Sequence, residues 1–290
     1  MRGFDLSSFQ KTVGDIKNSH EPFRSLCVDI FIIRVIISIC VGGGIFADRP
    51  GISLRRGTRF AIIVMRISQE GVTVLDLAAN LRRYLDGSTA SSGRKPDARY
   101  SSFDYCFNYF QSFHESSDVP ALASPANVQI SCLQLGFYLA SWGMLRGSAQ
   151  LLQKSARHFV PVIEAIASTE TSLWELDADC YTPSSIERLL ELAGAICRAN
   201  GGMSDILVTK IMLGVFGSIP AFDTYFRRGF GVSTLNANAL SKVGAFYRDN
   251  AEVIDKFRVP TLDFVTGDPT QRLYSRAKVI DMAFFIEGMP

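Results

Sequence analysis

The sequence predicts an all-α protein, and three observations carry that prediction. Long apolar-periodic segments follow one another from Val128 onward, no strand alternation is sustained, and no repeat of fixed period is visible. A chain of 290 residues with 47% hydrophobic content and a mean hydropathy of +0.15 is long enough to bury a sizeable core. Its apolar content is too high for a disordered chain. With 23 Gly and 11 Pro it is not a low-complexity one either.

The N-terminal part stands apart from the rest. Residues 1–64 carry nine Lys/Arg, seven of them Arg, against five Asp/Glu. An apolar run from Cys27 to Ala47 contains Asp29, Arg34 and the consecutive Gly42, Gly43 and Gly44. A signal peptide would place its apolar run nearer the start. A membrane span fits the length, but two central charges would each cost roughly 2.5–3.5 kcal/mol. A soluble accessory element is a second reading. The third is that the native start lies at Met65, where the chain opens like a compact domain with an amphipathic helix over Thr73–Leu85. The expected division is an accessory segment, 1–64, and a helical domain, 65–290.

Elements follow in order. The stretch GSTASSGRKPD (87–97) is a loop. Phe103, Phe107, Phe110 and Phe113 recur at helical spacing and share one face, which predicts a helix packed into the core rather than a base-stacking surface. Pro120 and Pro125 bracket another loop. Helical periodicity then occupies about 128–152, 156–167, 184–199, 205–216, 236–256 and 270–286. The breakers are Pro161, Thr182-Pro183-Ser184, Asn200-Gly201-Gly202 and Ser218-Ile219-Pro220. Ser184 or Ser185, followed by Glu187 or Arg188, reads as a helix start.

Charge and cysteines exclude several classes. The net charge of +2 sits at the N-terminus, since residues 65–141 carry six basic against seven acidic groups and residues 142–290 fifteen against sixteen. A nucleic-acid surface must therefore be a local patch. The six cysteines (Cys27, Cys40, Cys106, Cys132, Cys180, Cys197) include no pair at two-residue spacing, so zinc ribbons, thioredoxin-type pairs and cysteine-ligated clusters lose support. A reducing, cytoplasmic compartment is the natural reading. His20, His114 and His158 are far apart, and no HExxH, GxSxG, Walker A or GxGxxG pattern occurs.

The stretch ICRANGGMSDILVTKIMLGVFGSIPAFDTYFRRGFG (196–231) reads as a helix, a tight Gly-Gly hairpin, a second helix, a short Pro loop and an Asp-Thr helix start. Gly201 and Gly202 permit a sharp turn and the close approach of another backbone. Backbone N–H groups opening the helix after Ser204 would offer an anion site. Asp223 is either the cap of the following helix or a charged group in apolar company.

This order resembles the helix-hairpin-helix DNA glycosylase superfamily, on GGMS (201–204), the helix ending Phe216-Gly217, and AFDT (221–224). The stretch 135–159 is similar to that family's early helix pair, which would put a DNA-inserting wedge near Trp142–Met144. The likeness covers roughly residues 128–231. It lacks the Pro-Gly opening of the hairpin, and Ile206 stands where bifunctional members have a nucleophilic lysine. Lys210 lies one turn later, either as a lyase or supporting group or as a solvated side chain.

The resemblance implies an orthogonal helical bundle and a monofunctional N-glycosylase acting on double-stranded DNA with a modified base, in repair or in defence against modified phage DNA. Asp223 would stabilise the oxocarbenium-like transition state and orient a water. The base would flip into an aromatic-lined pocket. Gly201, Gly202, Met203, Ser204, Trp142, Arg146, Arg227 and Arg228 would meet the DNA, although Trp142 also suits a core and the arginines also suit solvated helix faces. No cofactor or metal is expected, and the protein would act as a monomer away from membranes. The excised base stays open among oxidised, alkylated, deaminated and bulky phage-type bases. The alternatives are a non-catalytic all-helical interaction or defence accessory protein, and a membrane-associated protein built on residues 27–47.

Overall fold

Apolar periodicity becomes helix over most of its length. The computed structural model describes residues 64–68, 71–87, 93–146 and 150–290. Among these residues ten α-helices occur: α1 (Leu77–Asp86), α2 (Ser102–Glu115), α3 (Val128–Ser141), α4 (Val160–Ala167), α5 (Thr171–Trp174), α6 (Pro183–Ala199), α7 (Asp205–Phe216), α8 (Thr224–Phe230), α9 (Ala237–Lys256) and α10 (Arg276–Glu287). The described residues are mostly helical, as the periodicity predicts.

Two small hairpins depart from that expectation. β1 (Val64–Ser68) pairs antiparallel with β2 (Gly71–Leu75), so residues 73–75 of the expected Thr73–Leu85 helix are strand. The run Val72-Thr73-Val74 is β-branched and favours extended backbone. The helix waits for Asp76, whose carboxylate accepts the Ala79 N–H at 2.9 Å. Likewise the periodic segment 270–286 divides into β4 (Pro269–Leu273), paired with β3 (Pro260–Leu262), and α10, which Ser275 caps. Strands of three to five residues are too short to leave a visible alternation.

Two helix ends also differ. The helix expected over 128–152 stops at Ser141, because Gly143 turns the chain at a φ of +80°. α6 is capped by Thr182, not by Ser184 or Ser185. The Thr182 hydroxyl accepts the Ser185 N–H at 3.2 Å and the Ser185 hydroxyl accepts the Thr182 N–H at 2.8 Å, a reciprocal box with Pro183 in the first turn. The readings placed on residues 1–63, including the apolar run from Cys27 to Ala47, lie outside the described residues.

α7 and α10 form the interior. Leu207 through Phe216 are all buried, and so are Ala277 through Ile286. A helix apolar on every side has no solvent face and must be surrounded. α7 packs against α2, α3 and α6, while α10 packs against α1, α8 and α9. The aromatic face of α2 joins this core through Phe103, Phe107 and Phe110. Each large aliphatic or aromatic side chain so buried contributes roughly 1.5–3 kcal/mol relative to exposure. The polar residues carried by α7 and α10 are therefore held in low-dielectric surroundings. Among the described residues, no helix is long and apolar enough to cross a membrane.

Candidate functional site

The hairpin forms between α6 and α7, with Gly201 at φ +73° and Gly202 at φ +106°. Both are exposed, and nothing lies within 4 Å of the space a side chain would take there. The hairpin amides turn inward. Gly201 N–H donates to Arg198 O and Gly202 N–H to Cys197 O, each at 3.1 Å, and Met203 N–H donates to Cys197 Sγ at 3.2 Å. Ser204 caps α7 through the Leu207 N–H at 3.3 Å. Asp205 then puts a carboxylate on the first turn, which weakens any attraction for a phosphate.

α7 carries Lys210 into the interior and ends at Gly217 in the left-handed conformation. A short loop through Pro220 leads to Asp223, the N-cap of α8. Its two oxygens divide the work. Oδ1 accepts the N–H groups of Tyr225 at 3.1 Å and Phe226 at 3.0 Å, while Oδ2 accepts Lys210 Nζ at 3.0 Å. The side chains are 4% exposed for Lys210 and 15% for Asp223. Lys210 is thus not a solvated helix-face charge. Asp223 is a cap and one half of an ion pair together.

This pair opens on a cavity of about 620 Å³. Ile206, Lys210, Asp223, Thr224 and Tyr225 form its α7–α8 side, and Tyr100, Trp142, Met144 and Phe285 its aromatic and apolar side. The rings are ordered. Tyr84 stacks on Tyr100 at 4.3 Å, and Tyr100 on Trp142 at 5.5 Å with an interplanar angle of 6°. Phe285 meets Tyr100, Trp142 and Tyr225 edge-on at 6.1, 5.6 and 5.2 Å. Trp142 is consequently a wall of the cavity within a ring stack, not a projecting wedge, and its buried Nε1 has no hydrogen-bond partner among the described residues.

Cations gather at this wall. Lys210 Nζ lies 5.4 Å from the Trp142 ring centre, and the Arg99 guanidinium lies 5.3 Å from the centres of both Tyr100 and Trp142. Arg99 and Arg146 are exposed and line the cavity. Arg227 and Arg228 do not line it. Arg227 is 3.7 Å from Asp205, and Arg228 donates to the Gly288 carbonyl, so both are engaged within the fold.

A second lysine–aspartate pair lies behind the wall. Lys278 Nζ and Asp281 Oδ2 on α10 are 3.1 Å apart, with side chains 1% and 9% exposed. Burial pushes the Asp281 carboxyl above the usual carboxylate range, and Lys278 pulls it back. Burial also drives the Tyr84 phenol well up, and the Asp281 charge adds to that.

Sequence reasoning reached Asp223, Lys210, Trp142 and Arg146, which the fold brings to one cavity. It missed Arg99, Tyr100, Tyr225, Phe285 and the Lys278–Asp281 pair. One signal for the last was legible: two opposite charges three residues apart in an otherwise apolar run, 277–286, have no solvent face to occupy. Among the described residues, no group of three or more His, Cys, Asp or Glu could hold a metal ion. No protein-family model matches the chain, and comparisons with curated proteins and with solved structures gave no match.

Proposed function

We propose that this protein is a DNA glycosylase that hydrolyses the N-glycosidic bond of a modified base, acting as a monomer in repair or in defence against modified phage DNA. The observation that supports it is Asp223, a carboxylate at a helix start, paired with Lys210 at 3.0 Å and facing a cavity walled by Trp142, Tyr100, Tyr225 and Phe285. The run α6, Gly-Gly turn, α7, Pro loop and α8 is read here as the hairpin of an orthogonal helix-hairpin-helix bundle.

The chemistry follows from the residues. As the bond from sugar C1′ to base nitrogen breaks, its electron pair leaves with the base and positive charge grows on the sugar. Asp223 Oδ2 stabilises that charge and orients the water that adds to C1′, while the water's proton passes to the base nitrogen that took the electron pair. The cavity lies in the size range of small-ligand sites, about 300–1,000 Å³, and its rings suit a flipped base. Arg99 and Arg146 at its edge suit the flanking phosphates. The Lys210 amine is already bonded to Asp223, which favours hydrolysis over attack by lysine on the sugar.

The test is incubation with duplexes carrying oxidised, alkylated, deaminated or bulky bases, followed by alkali to cleave abasic sites. Base release from at least one duplex, lost in Asp223→Asn, is the expected result. Spontaneous nicking trapped by borohydride and lost in Lys210→Ala would overturn the hydrolytic assignment.

A second reading, a non-catalytic helical interaction protein, draws on a different surface. Ile130, Leu133 and Phe137 on α3 are 49, 50 and 70% exposed and share one helical face. Absence of base release from every duplex would favour it.

A further inference from the structure

The backbone that carries Asp223 is gripped from two helices. Thr209 Oγ1 on α7 accepts the Phe222 N–H at 2.9 Å, and Asp281 Oδ1 on α10 accepts the Ala221 N–H at 3.0 Å. Both amides belong to buried residues and follow Pro220, which has no N–H of its own. The Asp281 bond spans 60 residues of sequence and ties the C-terminal helix to the loop two residues before Asp223.

The other Asp281 oxygen accepts Lys278 Nζ at 3.1 Å, and Lys278 also bonds the Tyr84 hydroxyl at 3.1 Å. The Lys278 ammonium lies 4.7 Å from the Phe103 ring centre, 5.0 Å from that of Tyr84 and 5.2 Å from that of Trp142. A buried ion pair of this kind is no more stabilising than well-packed apolar residues of similar volume. Its presence in an otherwise apolar stretch of α10 therefore calls for another role, and the Ala221 N–H supplies one.

We infer that Asp281, neutralised by Lys278, is a positioning residue: by holding the Ala221 N–H it fixes the Asp223 carboxylate against Lys210 at the cavity. This rests on the reading of Asp223 as the catalytic carboxylate. The charged and titratable groups around Asp281 are Lys278 on its own helix, Lys210 on α7, Asp223 at the start of α8, Tyr84 on α1 and Tyr138 on α3. Of these, only Lys210 and Asp223 line the cavity.

The test removes the hold without leaving a buried lone charge. In Lys278→Met/Asp281→Ala the flexible Met fills part of the vacated space, and both charges go together. Single-turnover base release should fall about tenfold or more, while duplex affinity stays within about twofold. In an Asp223→Asn background the same pair of changes should alter the residual rate by less than about twofold, because Asp281 acts through Asp223. Lys278→Met/Asp281→Asn restores an acceptor for the Ala221 N–H and should return the rate to within about threefold of wild type. A structural role alone would instead lower the rate equally on both backgrounds, and that overturns the inference. Should the alanine pair not fold, the asparagine pair decides: a retained rate is expected, and a loss of about tenfold overturns it.

A readout without DNA separates this inference from the reading beneath it. Acetylation of Lys210 by acetic anhydride, followed by peptide mass spectrometry, should be slow in wild type and about fivefold or more faster in Lys278→Met/Asp281→Ala. If no duplex loses a base but Lys210 still becomes reactive, the catalytic reading fails and the positioning role stands. If wild type releases base and the alanine pair keeps both full rate and Lys210 protection, the positioning role fails.

Discussion

Two lysine–aspartate pairs approach the ring of Trp142 in this protein, Lys210–Asp223 at 3.0 Å and Lys278–Asp281 at 3.1 Å. Their chemistry is the same and their settings differ. Asp223 caps α8 and lines a cavity, whereas Asp281 faces a backbone amide inside the core. An open carboxylate can meet a ligand and exchange partners. A sealed one can only hold what already surrounds it. Breaking the sealed pair at one member should therefore appear first as stability, and breaking the open pair as activity.

The largest expected effect is on the sealed side. Asp281→Ala alone leaves Lys278 buried without its carboxylate, which should cost about 3–5 kcal/mol of unfolding free energy in urea titrations. A cost below about 1 kcal/mol would mean that water reaches this pair, and the contrast would dissolve.

On the open side, Asp223→Asn should lower base release by the equivalent of about 3–4 kcal/mol in a dry site. Its melting temperature should fall less than that of Asp281→Ala: the amide oxygen still accepts the Tyr225 and Phe226 N–H groups, and Lys210, left facing the amide NH2, lines the cavity and can turn toward it. Full activity in this variant would reduce Asp223 to a helix cap.

A change that strikes both pairs together sharpens the comparison further. Gly229 lets α8 lie directly on α10, since a Cβ there would come within 2.3 Å of the Phe284 carbonyl. Gly229→Ala should push α8 from α10 and destabilise the fold by about 1–3 kcal/mol, with activity falling alongside. Activity that survives intact in a destabilised Gly229→Ala protein would show that the site does not depend on this contact.

The smallest effects belong to the edge of the cavity. Arg99→Ala and Arg146→Ala should each weaken duplex binding evenly across sequences and lower the salt slope by about one, measured by titration at several ionic strengths. An unchanged salt slope in both would remove these arginines from the phosphate path.

Much of this molecule was readable before folding. The spacing of Phe103, Phe107 and Phe110 gives the core face of α2, the Gly201-Gly202 break gives the turn between α6 and α7, and Pro220 before Asp223 gives a loop and a cap. These are local features, set by side-chain period and by the backbone freedom of Gly and Pro, and a short window of sequence contains them. The hairpins at 64–75 and 260–273 were missed because pairing between such short strands depends on partners rather than on alternation. That Lys210 faces Asp223 across 13 residues, that Asp281 reaches Ala221 across 60, and that Tyr84, Tyr100 and Trp142 form one stack depend on how α1, α2, α7 and α10 pack. No local pattern encodes those distances. Sequence determined which segments would be helices and which residues would be apolar or charged; only tertiary packing decided which charges would meet, because burial removes the water that would otherwise have been each one's partner.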